Sequence, residues 1–343
     1  MPETLSARER TVLEAVIQSY VETAEPAGSR TIAKRYPLGI SAATIRNTMS
    51  DLEDRGYLYH PHTSAGRVPT DRAYRIYVDR LMLRDSVSAA DQDAISRVLG
   101  SDSGVIEGIL QKAAQILGVL TQELGVVVAP SFDNAVLERL ELMHVSAERL
   151  LLVLVMRGGL ARTIFVELRG HLPVEAVASV SVVLNERLSG LTLREIRSTL
   201  KERLRDSVPV PDASELLNIF VEEADQLFDG TLDGTDLHLS SAQPLAEQPE
   251  FSSNENLRRL LELTEGRDLL RSALRARSDR GVTVTIGGEN ADPQLRSLTL
   301  VTAGYRRGPL IGVIGVMGPT RMPYQKVLSV VEHTSRMLED LDA

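Results

Sequence analysis

The segment from Ser41 to Gly56 constrains this chain more than any other. Ile45, Met49 and Leu52 stand at i, i+4 and i+7 behind a Ser that suits a helix cap. One face of the helix Ala42 to Arg55 is therefore committed to a core. Ser41, Thr44, Arg46 and Asn47 occupy the other faces of its first turn and a half, and Asp51, Glu53 and Asp54 follow later. Gly56 is placed to close it as a left-handed C-cap. A single apolar stripe needs something to pack on, and the preceding residues supply it. Ser6 with Glu9 forms a capping box, and Val12, Val16, Ile17, Tyr20 and Val21 share a face, which predicts a helix to about Ala24. After Glu25-Pro26-Ala27-Gly28, Ser29 is expected to cap a short helix, Arg30 to Arg35, and Pro37-Leu38-Gly39 makes the turn into the third.

Tyr57 to His60 is extended and β-prone, and the string from His62 to Pro69 predicts a β-hairpin wing with Gly66 near its tip. Thr70 or Asp71 then caps a fourth helix, Arg72 to Leu83, with Tyr74, Tyr77, Val78 and Leu81 on one side. Short hydroxyls, an arginine and an amide at a helix N-terminus are suited to a DNA major groove. The helix end and the hydroxyls bind phosphate, while Arg grips guanine and Asn grips adenine through paired hydrogen bonds. Arg67 on the wing would reach a phosphate or the minor groove. The alternative is a packed helical bundle whose Arg and Asn are merely solvated, since one fold hosts many functions. A glycine-bearing wing directly after a polar-headed third helix favours DNA.

Charge adds little. The chain carries −9 overall, yet residues 1–85 hold 12 Lys/Arg against 11 Asp/Glu, and 55–84 hold six Arg against Asp71 and Asp79. An acidic body with one locally basic segment suits a protein that touches phosphates at one end.

Residues 85–103 are polar and predict a linker. A helix from Gly104 to Leu124 carries a long apolar stripe that serves either its own core or a dimer seam. Strand-like runs follow at 126–129, 139–145, 150–156 and 163–168, which predict an antiparallel meander, then a helix from Val174 to Leu188. Three more strands, at 282–286, 297–302 and 310–317, precede a final helix from Tyr324 to Leu341. Between them, 191–280 changes character: helices at 192–204 and 212–228 (the second capped by Asp212), a Gly/Ser/Asp-rich stretch with a strand at 236–240, and a charged helix from Asn256 to Arg277. The expected organisation is a multidomain α+β protein: residues 1–84, a linker at 85–103, an α+β sensor-type domain from 104–190 plus 281–343, and a domain inserted at 191–280.

Several chemistries lack their residues. There is no Cys, so disulfides, thiolate metal sites and thiol redox sensing are excluded, and a cytosolic setting is expected. No apolar run approaches the roughly 18 residues of a membrane span, and the start lacks a basic signal region. His60 and His62 stand without a third ligand, and no glycine pair sits in a phosphate-loop context. No enzymatic constellation, metal site or cofactor is expected.

The strings Ser29-Arg30-Thr31-Ile32-Ala33, Ser41 through Glu53, His62 through Thr70 running into Arg72-Ala73-Tyr74-Arg75, and Gly312 through Tyr324 resemble the HrcA family of heat-inducible transcription repressors. The resemblance implies a winged helix-turn-helix, a GAF-like domain and an inserted α+β dimerisation domain. It implies a homodimer that binds double-stranded DNA at the CIRCE inverted repeat of chaperone operons, with the GroE chaperonin as modulator. The DNA-binding residues it implies are Ser29, Arg30, Ser41, Thr44, Arg46, Asn47, His62, Ser64 and Arg67.

Overall fold

The computed structural model describes residues 5–62, 65–83, 86–100, 106–158, 161–168, 170, 172–205, 213–229, 237–277, 281–307 and 310–340. Ser64, Arg84 and Asp212 fall outside them.

The N-terminal unit follows its local signals closely. Helix α1 (Ala7–Thr23) opens on a complete capping box and ends at Ala24 in the left-handed region. Helix α2 (Ser29–Arg35) starts one residue earlier than expected: Gly28 is its cap, and Ser29 is its first helical residue. In α3 (Ala42–Asp54) the Ser41 hydroxyl accepts from the Thr44 N–H, and Ile45, Met49 and Leu52 are buried between α1 and α2. Each of these side chains contributes roughly 1.5–3 kcal/mol by leaving water. Gly56 has φ +73° and turns the chain into β1 (Leu58–Tyr59), which pairs antiparallel with β2 (Val68–Pro69).

Gly66 corrects the expected wing. It is not a tip residue, because Ala27 and Arg67 exchange backbone hydrogen bonds of 2.8 and 2.9 Å. A Cβ on Gly66 would stand 2.5 Å from the backbone of Pro26 and Ala27, so only glycine lets the strand pass beneath the α1–α2 turn. Helix α4 (Asp71–Ile76), capped by Thr70, continues as a π-helical turn over Tyr77–Leu81 and stops short of the expected Leu83.

The expected linker at 85–103 contains a helix, α5 (Ala89–Gly100). Its Ile95 and Leu99, one turn apart, are completely buried. This single i, i+4 pair is enough to dock it on the body despite its many polar residues.

From α6 (Ile106–Thr121) the chain enters β3 (Leu124–Ser131) and then departs into a separate unit. That unit holds β4 (Leu137–Ser146), β5 (Arg149–Met156), β6 (Ala161–Glu167), α7 (Val174–Leu188), α8 (Leu193–Leu204), α9 (Ala213–Glu222) and α10 (Ala224–Leu227). The chain returns as β7 (Leu237–Leu239), α11 (Gln243–Ala246), α12 (Asn254–Glu265), α13 (Arg267–Arg275), β8 (Val282–Ile286), β9 (Leu298–Arg307), β10 (Leu310–Pro319) and α14 (Tyr324–Asp340). The helix expected over 256–277 is thus two helices, broken at Gly266.

Sheet pairing moves the predicted boundaries. Strands β7-β3-β10-β9-β8 form one antiparallel sheet, whereas β4-β5-β6 form a second and, among the described residues, pair only with each other. The interpolated segment is therefore the stretch from about 132 to 229, not 191–280. It has its own core, from Leu140, Leu152 and Leu154 to Val180, Ile196 and Phe220. The helices α12 and α13, expected in the insertion, instead cover the five-stranded sheet. Alternation explains that sheet's two-sided burial. Val127, Val301 and Ile314 face α6 and α14, while Val126, Val128, Leu300 and Met317 face α12 and α13. Asp133, buried where β3 ends, ties the two units: Arg197 of α8 lies 2.7 Å from it, and Arg275 of α13 3.8 Å.

The N-terminal unit shares one continuous core with the α6/α14 side of the body. Tyr74 packs on Tyr324 with ring centroids 5.6 Å apart. Arg75 reaches the Glu289 carboxylate (Nε–Oε1 2.8 Å) and donates to the Val284 carbonyl (2.6 Å), and Asp71 accepts from the Gly288 N–H (2.9 Å). Burial alone would raise the Glu289 pKa, but the bonds from Arg75 and the Ile286 N–H carry it below the usual carboxylate value. Among the described residues, no helix is long and apolar enough to cross a membrane.

Candidate nucleic-acid interface

At the head of α3, Ser41, Arg46 and Asn47 are exposed and Thr44 is half-buried. Ser41 is exposed, and its hydroxyl both accepts from the Thr44 N–H (3.1 Å) and lies 2.9 Å from the Thr44 Oγ1. The cap is therefore made, and Thr44 is oriented by it. Thr48, one turn on, is buried and donates to the Thr44 carbonyl. Arg46 and Asn47 are exposed, and neither is held by a hydrogen bond or ion pair among the described residues. The first turn carries no acidic residue. The exposed face thus changes character along its length: Ser41, Arg46 and Asn47 at the N-terminal end, Asp51 and Asp54 at the other. The helix dipole adds partial positive charge at the same end. An anionic polymer can approach the head of α3 but is repelled by its tail.

Ser29 and Arg30 begin α2, which packs against α3, and Arg30 is exposed. His62 is exposed as well. The structure brings Ser41 and Thr44 into direct contact and leaves Arg46 and Asn47 outward on the following turn.

Arg67 is placed differently from the expected outward reach. Its side chain is only 15% exposed and lies 2.8 Å from the Glu53 carboxylate, with a second contact to His60. Glu53 also meets His60 at 2.5 Å. Glu53 comes from the last turn of α3, so this cluster braces the two-stranded ladder against that helix. Three further arginines of the basic segment are similarly occupied. Arg55 binds Glu9 (2.6 Å), Arg72 lies 4.6 Å over the Tyr57 ring, and Arg75 grips the body. The local excess of positive charge in 55–84 is thus largely used inside the protein.

Sequence reasoning did not find the residues that hold this unit in place. Arg321 donates to the Val21 carbonyl at the end of α1 (2.8 Å) and to both oxygens of Glu250 (2.6 and 3.0 Å). Partners such as Arg75 and Glu289 are 214 residues apart, and no local pattern links them. Among the described residues no cluster of His, Asp and Glu is arranged to hold a metal ion.

The class defined by this geometry is a two-part protein, a small helical unit with an outward polar helix head carried on a larger α+β body. Residues 107–328 match the HrcA protein C-terminal domain. The chain is 42% identical, over 97% of its length and 97% of the relative's, to the heat-inducible transcription repressor HrcA of Chlorobium phaeobacteroides (strain BS1). It is 40% identical, over 98% of its own length and 97% of the relative's, to that of Chlorobaculum tepidum (strain ATCC 49652 / DSM 12025 / NBRC 103806 / TLS). The chain belongs to the HrcA family of heat-inducible transcription repressors. A crystal structure of a hypothetical protein at 2.2 Å resolution shares the fold at a TM-score of 0.57, with 24% identity and 99% of each chain covered.

Proposed function

We propose that this protein is a cytoplasmic, dimeric repressor of chaperone operons that binds the CIRCE inverted repeat through its N-terminal unit, acting as a winged helix-turn-helix. The observation that carries this reading is the pair Arg46 and Asn47, exposed and without internal partners beside a capped helix end that has no acidic residue in its first turn. An arginine and an amide that are not spent on the fold are available for base edges. Ser41, Thr44, Ser29 and Arg30 position the unit on phosphates, with His62 and Ser64 as further contacts. Arg67 acts mainly by bracing the ladder against α3.

Two copies are needed to match an inverted repeat. Support for a dimer comes from the outer face of the β4-β5-β6 sheet. There Met143, Leu151 and Phe165 stand in cross-strand register, and Met143 and Phe165 are 45% and 59% exposed. Such a contiguous apolar face on a soluble protein is suited to self-association. The body serves as the GAF-like domain. Heat or chaperonin shortage lowers the folded fraction of a marginally stable protein, and GroE restores it.

A gel-shift with the CIRCE repeat against a scrambled repeat at equal salt tests the reading. Preference for the repeat, lost in Asn47→Ala, is expected; equal binding to both would refute it. Because few cations are free, few phosphates are neutralised, and at about −0.9 in log–log slope for each the total salt dependence should be modest.

A further inference from the structure

Between α13 and β8, on the side of the body away from α6 and α14, lies a cleft of about 960 Å³. Its apolar part is formed by Leu269, Ala273, Ala276 and Leu295. Three carboxylates also line it, each with a partner other than Arg277. Asp268 pairs with Arg271 (2.7 Å), Glu289 is held by Arg75, and Asp292 accepts from the Gln294 N–H (2.8 Å).

Arg277 also lines this cleft, and its partners are all neutral. Its Nε donates to the Thr285 hydroxyl (3.2 Å), one terminal nitrogen to the Ala273 carbonyl, and the other to Asn290 Oδ1 (3.2 Å). No carboxylate pairs with it among the described residues, and burial lowers its pKa. A half-buried guanidinium without a counter-ion is costly. Of its five N–H groups, the three hydrogen bonds leave two, both on the terminal nitrogens.

The arrangement is rigid. Asn290 is 1% exposed, and its amide nitrogen donates to the carbonyls of Gly287, Leu295 and Leu298 at 3.0, 3.0 and 2.9 Å. Three acceptors on one side fix the amide's orientation, so its oxygen must face Arg277. The fork is thereby held ready for a planar anion, since guanidinium matches carboxylate through two parallel bonds.

We propose that this cleft binds a small monocarboxylate, its carboxylate on Arg277 and its carbon skeleton against Leu269, Ala273, Ala276 and Leu295. The site requires no DNA, so it stands or falls independently of the operator reading. The cleft adjoins the N-terminal unit: Glu289 lines it and is the residue that Arg75 grips.

The test is calorimetric titration of the full-length protein with acetate, hexanoate and benzoate, with hexanamide and benzamide as uncharged counterparts. At least one acid should bind saturably at one per chain, and its amide at least tenfold more weakly. Arg277→Gln should weaken that acid at least tenfold. Ala291→Phe, which leaves Arg277 intact and fills the cleft from an exposed lining position, should abolish binding and covers the case in which Arg277→Gln misfolds. Absence of saturable binding by all three acids, equal binding of acid and amide, or undiminished binding in a folded variant would overturn the proposal.

Discussion

Glu123 offers a sharp test of how the joint between α6 and β3 is built. Its side chain is 2% exposed, and its Oε2 accepts from Gln248 Nε2 at 3.0 Å. Burial pushes its pKa from 4.5 to about 8, against the opposing pull of the Gln248 bond and of Arg321 and with reinforcement from Glu250. The carboxyl is therefore protonated in the folded protein at pH 7, whereas the unfolded chain ionises near 4.5. Between these values the native state holds one more proton than the unfolded state, so stability falls as pH rises. The contribution is fully present below pH 4.5 and is lost progressively up to about pH 8. At about 1.36 kcal/mol per pH unit, ionisation of the unfolded chain takes roughly 3 kcal/mol of stability by pH 7. Glu123→Gln copies the protonated acid and keeps an acceptor for Gln248. It should stabilise the protein at pH 7 by up to that amount, although most substitutions destabilise. It should also flatten the dependence of unfolding free energy on pH by about 1.4 kcal/mol per unit between pH 5.5 and 7. Urea titrations followed by far-UV circular dichroism, at constant protein concentration, measure both quantities. An unchanged slope together with a destabilised variant at pH 7 would show that Glu123 is ionised in the native state and that the reasoning is wrong.

Gly66→Ala should destabilise the N-terminal unit by more than 1 kcal/mol, because its Cβ meets the Pro26 and Ala27 backbone at 2.5 Å; thermal melts of the variant measure this. Arg75→Ala removes the bonds to Glu289 and Val284, and amide exchange over Asp71–Leu81 should accelerate while that of β9 and β10 stays unchanged. Ser41→Ala loses the α3 cap at a cost of about 1 kcal/mol, measured by urea unfolding. The proposed self-association through the β4-β5-β6 face predicts a dimer for the unsubstituted chain and a monomer for Phe165→Asp in sedimentation velocity, without loss of helix content, since the ring is largely exposed in a single chain.

Much of the N-terminal unit was determined by the sequence alone. Ser6 with Glu9, Ser41 before Ile45 and Gly56 at the end of α3 act within one helical turn, so residue types and spacings suffice to place these boundaries, whereas the choice of Thr70 over Asp71 as the α4 cap came from the structure. Exposure of Arg46 and Asn47 followed for the same reason: once Ile45, Met49 and Leu52 are buried, helical geometry turns these two outward. Tertiary structure decided what depends on distant partners. Arg67 points inward because Glu53 of α3 and His60 meet it there, and Gly66 is required by the backbone of Ala27 rather than by a hairpin tip. The inserted segment is set by strand pairing, which local hydrophobicity does not encode. Strand β7 joins β3 from more than a hundred residues away, and among the described residues β4 to β6 join only one another. A cap is satisfied by its own neighbours, whereas a strand or a buried arginine is satisfied only by whatever the finished fold brings beside it.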